Sequence, residues 1–409
     1  MPLRPARPLR AVLRPRPGSR AGSVFVVAAA SLAVLVPATA GAAAGTAGDR
    51  TPRRPVDDRA LQRRIDRFVD EPGGPPAIVA VLRDGRQTRV LRAGVADLAT
   101  GRPPRASDHM RIASTAKAFS GAVALSLVDR GALDLDDTLR ERLPQLPDAW
   151  GPVTLRQLLN HTSGLPDYSR DPEFIAVVAA DPRHRFDPRH LLDHVADEPL
   201  RFSPGSRYEY SNSDNIAVAL MAEAVTGTPY EQLLRRLVYG PLELRDTSLP
   251  QGYRMPEPYL HGYDVSDPAS PEDVSELVSA SGAWASGGIV STPLDMTRFV
   301  RGYVSGALYG KGVVREQRRW IAGASEPAGP GRNAAGLGVF RYTTRCGVVL
   351  GHTGNFPGYT QLVAATPDGR RSLTFSVTSQ INRAGDPARL ERLRAVQEDF
   401  VCALLRDGR

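Results

Sequence analysis

Strand-like segments stand near both ends of this 409-residue chain, with mostly helical patterns between them. Near the start, Ile78 to Leu82 and Val90 to Val95 are apolar runs joined through Asp84-Gly85, which predicts a hairpin of buried strands. Near the end, Val348 to Leu350 and Leu362 to Ala365 are apolar, and Ser372 to Thr378 alternates, with Leu373, Phe375 and Val377 on one side. Pro367-Asp368-Gly369 supplies the turn before the last of these. From about Leu133 to Cys346 the pattern is short helices broken by Pro and Gly, and no repeat is present. Ile216 to Val225 is one such helix; Thr228-Pro229-Tyr230-Glu231, which has the form of a capping box, opens another. Distant parts of the chain must therefore meet in one antiparallel sheet. The predicted fold is α/β: a sheet region from about 58–132 and 335–409, flanked by N- and C-terminal helices, with an inserted, mostly helical region from about 133–334.

The flanking helices are marked by Leu61, Ile65, Phe68 and Val69 at one end and by Leu390, Leu393, Val396, Phe400, Val401 and Leu404 at the other. A cleft should form where the sheet and the helical region meet, and that is where sites are usually built.

A formal charge of +8 invites a polyanion partner, but its distribution argues otherwise. Residues 1–40 hold six arginines and no acidic residue, then the apolar run Val24 to Val36 and Ala38-Thr39-Ala40. That is the layout of a signal peptide with a small-residue cleavage site. Without it, 46 basic residues face 44 acidic ones, so nucleic-acid binding is not expected. The patch of Arg183, His184, Arg185, Arg189 and His190 is read as a solvated face. Residues 41–57 are rich in Gly and Ala, then in Arg and Pro, which predicts a flexible lead-in to a domain over 58–409.

Secretion to the extracellular space, without a stable membrane anchor, is the expectation. The chain has two cysteines, Cys346 and Cys402, and on a helical wheel Cys402 lies opposite the apolar stripe of the last helix. A thiol turned away from the core would not stay free in an oxidising compartment, so a Cys346–Cys402 disulfide is expected.

The chemistry centres on Arg111-Ile112-Ala113-Ser114-Thr115-Ala116-Lys117. Three residues apart at the head of an apolar run that ends at Gly131, Ser114 and Lys117 lie on one helical face. Lysine is otherwise almost absent: only Lys117 and Lys311 occur, and every other basic side chain apart from histidine is arginine. A desolvated ammonium can give up its proton and a guanidinium cannot, so a lysine in this place reads as a base for the serine. Two more stretches fit the same chemistry. In Tyr208-Glu209-Tyr210-Ser211-Asn212, the Tyr210 phenol can relay a proton and the Asn212 amide can orient lysine and substrate, although packing and helix capping would explain the same residues. In Gly351-His352-Thr353-Gly354, at the end of the Val348 strand, hydroxyl and backbone can lie along an extended acyl substrate.

S-x-x-K, Y-x-N and H-T-G occur in that order, with Tyr210 96 residues after Ser114 and His352 142 residues after Tyr210. Together they resemble the penicillin-recognising serine hydrolases related to class C β-lactamases, most of all the secreted D-alanyl-D-alanine carboxypeptidases of actinomycete type. The likeness runs from about Val69 to the C-terminus. It includes Leu158-Leu159-Asn160-His161-Thr162-Ser163-Gly164-Leu165, Pro241-Leu242, Ser291-Thr292-Pro293-Leu294-Asp295 and the spacing from Cys346 to His352-Thr353-Gly354.

The resemblance implies that Ser114 attacks a carbonyl to form an acyl-enzyme, that Lys117 or Tyr210 is the general base, and that Tyr210 returns a proton to the leaving group. It implies that Asn212 aligns the acyl amide and that His352 and Thr353 contact the substrate carboxylate or the Tyr210 oxygen. Gly354 completes the third motif, and the backbone N–H groups of Ser114 and Asn355 form the oxyanion hole. His352 stands where class C enzymes carry lysine, so a long-lived penicilloyl adduct is expected rather than rapid β-lactam hydrolysis. Asn355 stands where a second hydroxyl can assist a terminal carboxylate in the carboxypeptidases.

The functional expectation is thus a D,D-carboxypeptidase-type hydrolase acting on peptidoglycan-like peptides or small acyl substrates, acylated by β-lactams, and monomeric. An esterase or D-amino-acid peptidase on the same scaffold, and a non-catalytic β-lactam or muropeptide binder, are the alternatives. No G-x-S-x-G surrounds Ser114, and the seven histidines form neither H-E-x-x-H nor a Cys/His cluster, so no metal or cofactor is expected.

Overall fold

The computed structural model describes residues 57–406; the expected leader and nearly all of the lead-in lie outside them. Seven strands form one sheet: β1 (Ala77–Asp84), β2 (Gln87–Gly94), β3 (Arg332–Ala335), β4 (Phe340–Thr344), β5 (Gly347–Phe356), β6 (Tyr359–Ala365) and β7 (Arg371–Val377). Their order is β2-β1-β7-β6-β5-β4-β3, antiparallel throughout. The join between the two ends of the chain is the pairing of β1 with β7, from Ile78 opposite Val377 to Asp84 opposite Arg371.

Both faces of the sheet are covered. On one, Leu61, Ile65 and Phe68 of α1 (Asp58–Asp70) and Leu390, Leu393, Phe400 and Leu404 of α2 (Pro387–Arg406) pack with Ile78, Ala80, Leu373, Phe375 and Val377. On the other, Val79, Val81, Val363 and Ala365 join the large core that also holds Phe119 and Phe299. Each large apolar side chain removed from water here contributes roughly 1.5–3 kcal/mol.

Three sequence expectations need correction. The second strand of the hairpin is not buried: β2 is an edge strand in which only Leu91 and Ala93 are covered, and Val90 is 43% exposed. The capping box at Thr228 does not form. The N–H of Tyr230 is instead capped by Glu223 at 2.7 Å, while Glu231 accepts from Trp284 Nε1 at 2.9 Å and Gln251 at 3.0 Å. Finally, Cys402 is not turned to solvent; it is 1% exposed, because the turn carrying Cys346 covers that flank of the last helix.

The two cysteines are bonded in the structure, with Cα atoms 5.1 Å apart and a separation of 56 positions in sequence. Closing a loop of that length is worth about 4 kcal/mol on chain-entropy arithmetic. Reduction under native conditions is expected to lower the denaturant midpoint accordingly; an unchanged midpoint with two titratable thiols would contradict this.

Candidate active site

Ser114 lies in a single 3-10 turn, Ala113–Thr115, just ahead of helix α3 (Ala116–Asp129). Buried on nearly every side, α3 carries Lys117 into the core at 1% exposure, while Ser114 stays partly accessible. Entering this turn, Ala113 adopts φ 51°, a left-handed conformation that costs a non-glycine residue on the order of 1–3 kcal/mol and that clusters at functional sites. The strand carrying the third motif explains how the turn is held. β5 pairs with β4 only as far as Gly351, but with β6 through Phe356, so residues 352–356 have one flank without a strand partner. That stretch presses on the nucleophile turn. A Cβ on Gly354 would lie 2.3 Å from the Ile112 carbonyl and 3.1 Å from both Ala113 Cβ and Thr115 Oγ1, so only glycine permits the approach.

Three partners surround the Lys117 amine: Asn212 Oδ1 at 2.7 Å, the Ser286 carbonyl at 2.8 Å and Ser114 Oγ at 3.2 Å. The Asn212 amide cannot be turned around, because its Nδ2 donates to the Asp167 carboxylate at 3.1 Å and to Ser169 Oγ at 2.9 Å. Both shorter contacts of the amine are therefore to groups that only accept. In its neutral form the amine spends its two N–H bonds on them, and its lone pair is left for the Ser114 hydroxyl. Burial lowers the Lys117 pKa to about 7, with Asp167, Glu326 and Asp214 opposing the shift. The amine is thus neutral in a large fraction of molecules near neutral pH and positioned to accept the serine proton.

Tyr210 flanks the pair, with Lys117 Nζ 5.0 Å from the centre of its ring. Its hydroxyl is buried and, among the described residues, has no partner in good hydrogen-bond geometry; burial raises its pKa well above 10, and the neighbouring Ser114 hydroxyl works against that rise. His352 is held neutral, its pKa lowered to about 3 by burial and then by Lys117. Its Nδ1 faces the Thr353 carbonyl at 2.6 Å and so carries the hydrogen, which leaves Nε2 as a buried acceptor without a protein partner. A donor and an acceptor left unpaired beside a reactive serine mark where substrate or reacting groups are to be met.

This arrangement has counterparts. The family model described as beta-lactamase matches residues 61–398. The chain belongs to the beta-lactamase family. It is 26% identical over 302 residues to a penicillin-binding protein of Bacillus subtilis, covering 69% of this chain and 63% of that one. A D-aminopeptidase of Cereibacter sphaeroides is 32% identical over 214 residues, covering 52% of this chain and 40% of that protein. The chain thus spans less than two thirds of the length of these curated relatives. Among solved structures, a D-stereospecific amidohydrolase from Streptomyces sp. is 30% identical with a TM-score of 0.70, covering 83% of this chain and 98% of that one.

Within this family frame, Ser114, Lys117, Tyr210 and Asn212 converge. In the third motif, where His352 and Thr353 are expected to contact a substrate carboxylate or the Tyr210 oxygen, His352 Nε2 is open but two other side chains are engaged. The Thr353 hydroxyl donates to the Pro327 carbonyl at 2.6 Å. The Asn355 side chain is held by Thr360 Oγ1 and the Ile381 carbonyl, each at 2.9 Å, and by Asn382 at 3.0 Å. The motif lies within the strand rather than beyond its end. Asn212 opens a helix, α4 (Asn212–Thr226), that starts before the expected Ile216, and Ser211 at its N-cap makes no capping bond.

Sequence reasoning did not assign roles to Ser286, Asp167, Ser169 or His161. The Ser286 carbonyl is a backbone atom and leaves no side-chain signal. Asp167 and Ser169 are ordinary turn residues until the fold sets them against Asn212.

Proposed function

We propose that the protein is a secreted serine hydrolase that forms an acyl-enzyme on Ser114 and cleaves amide bonds of small D-amino-acid derivatives or short peptides bearing a free amine. Lys117 takes the hydroxyl proton as Ser114 attacks the carbonyl carbon, and the Ser114 and Asn355 N–H groups receive the developing oxyanion. Tyr210 delivers a proton to the departing nitrogen, and water then releases the acid by the reverse proton path.

The charge of the cleft carries the choice of substrate. Asp167 and Glu326 act on both Lys117 and Tyr210, and the cation beside them, Arg170, is already shared between the two carboxylates at 3.7 and 4.0 Å. A carboxypeptidase must instead hold a substrate carboxylate. The groups available for that are a neutral His352, a Thr353 hydroxyl engaged with Pro327 and an Asn355 amide engaged with its own sheet. An ammonium suits this site better than a carboxylate. The D-aminopeptidase and the D-stereospecific amidohydrolase among its relatives support the same reading. Acylation by β-lactams, with slow release, follows from the same nucleophile, and the disulfide suits export.

The deciding experiment compares D-alanine p-nitroanilide, its N-acetyl form and diacetyl-L-Lys-D-Ala-D-Ala. A preference of at least about tenfold in kcat/KM for the free amine, equivalent to about 1.4 kcal/mol, is expected. Release of D-alanine from the diacetyl peptide, with the free-amine anilide inert, would replace this reading with the carboxypeptidase.

A further inference from the structure

Behind Tyr210 lies a buried polar group that the steps above do not use. His161, Ser163 and Asp214 are 4%, 1% and 0% exposed. His161 Nδ1 is 2.7 Å from Asp214 Oδ2; the other Asp214 oxygen accepts from the Ser163 hydroxyl, which in turn accepts from the Leu165 N–H at 3.0 Å. The imidazole lies against the Tyr210 ring, with centroids 4.4 Å apart and planes tilted by 32°. Backbone joins the same parts, since the Glu209 N–H donates to the His161 carbonyl at 2.9 Å, one residue before Tyr210. His161 holds φ 59°, left-handed for a non-glycine residue, and the surrounding bonds over-determine that conformation. Asp214 stands in the first turn of α4, two residues after the Asn212 that grips Lys117.

We propose that His161 is a positioning residue for Tyr210. Asp214 fixes the imidazole, and the imidazole face fixes the plane of the phenol, so that the hydroxyl stays where a departing nitrogen must be protonated. Resting on the acyl-enzyme reading above, this inference adds a residue to which no role was assigned. Burial, then Lys117, lowers the His161 pKa to about 3, with Asp167 opposing, so the ring stays neutral and places no second cation beside the lysine. Lys117 and Asp167 are the charges that act on it; Asp214 also acts on Lys117, together with Asp167 and Glu326.

The test uses leaving groups of different basicity on the full-length protein. An anilide or amide nitrogen needs a proton to leave; p-nitrophenolate does not. In His161→Ala, kcat for the amide should fall about 10²-fold with KM changed by less than about threefold, while single-turnover acylation by p-nitrophenyl acetate, which needs no proton on its leaving group, falls less than about fivefold. His161→Phe, which restores a flat ring, should recover amide turnover to within about tenfold of wild type. Should His161→Ala fail to fold, Asp214→Ala removes the acceptor that holds the same imidazole and should show the same amide-selective loss. Equal losses on amide and ester, no loss on either, or no recovery with phenylalanine would overturn the proposal. Wild-type turnover, measured first, judges the parent reading separately: a wild type inactive on amide and ester alike sinks that reading and this inference together.

Discussion

Replacing Ser114 by alanine is expected to abolish acyl transfer, a loss on the order of 10⁶-fold in kcat if the residual activity matches that left after nucleophile removal in other serine hydrolases. The fold should survive. Ser114 sits in a strained turn, its hydroxyl is paired with the Lys117 amine rather than with the backbone of the turn, and the turn is held by backbone contact with Gly354. A thermal midpoint within a few degrees of wild type, with no adduct after incubation with penicillin, is the anticipated result, because surface-accessible active-site substitutions are often neutral for stability. Substantial turnover by a folded Ser114→Ala protein would assign the nucleophile elsewhere.

Lys117→Arg should cost roughly 10²–10⁴-fold in acylation even though charge and length are nearly kept. Conservation of charge is the fault here. The amine can become neutral in its dry pocket, and a guanidinium cannot. The Asn212 oxygen and the Ser286 carbonyl, at 2.7 and 2.8 Å, would still bind the arginine head, so the residue would be well held and unable to accept a proton. Measuring single-turnover acylation by p-nitrophenyl acetate isolates this step. A rate within tenfold of wild type would move the base to Tyr210.

Much of this site was legible in the sequence because its chemistry sits in side chains at recognisable spacing. Ser114 and Lys117 announce themselves through one turn of helix, and the scarcity of lysine sharpens the signal. Tyr210 and Asn212 became legible only in combination with them. The strands at the two chain ends predicted the sheet, since β1 and β7 carry continuous or alternating apolar residues. What stayed hidden has physical reasons. The segment Val90 to Val95 reads as a buried run, but the strand it belongs to lies at an edge, and edge position is a property of the whole sheet. Glu231 fits a local cap, yet a tertiary partner, the Trp284 indole, outcompetes the local bond. The Cys402 wheel position is correct relative to its own helix, and the second covering element, the Cys346 turn, cannot be read from that helix. His161 was visible as part of the Leu158–Leu165 signature, but its task depends on Asp214, more than 50 residues on.

The lowered lysine pKa also sets a sign for stability. An unfolded lysine binds its proton up to about pH 10.4, whereas the folded Lys117 loses it near 7, so between these values the unfolded state holds more protons and stability rises with pH. Above neutrality, therefore, activity should level off while the Lys117 contribution to stability continues to climb.

The central claim, that a desolvated amine activates Ser114, is tested most directly by the pH dependence of kcat/KM for acylation. With the neutral amine as the reactive form, the logarithm of the rate should rise with unit slope below an apparent pKa of about 7 and level off above it, with no descending limb before the Tyr210 phenol, well above 10, ionises. A profile flat through neutrality, or one still rising at pH 9 as for an ordinary lysine, would contradict the account.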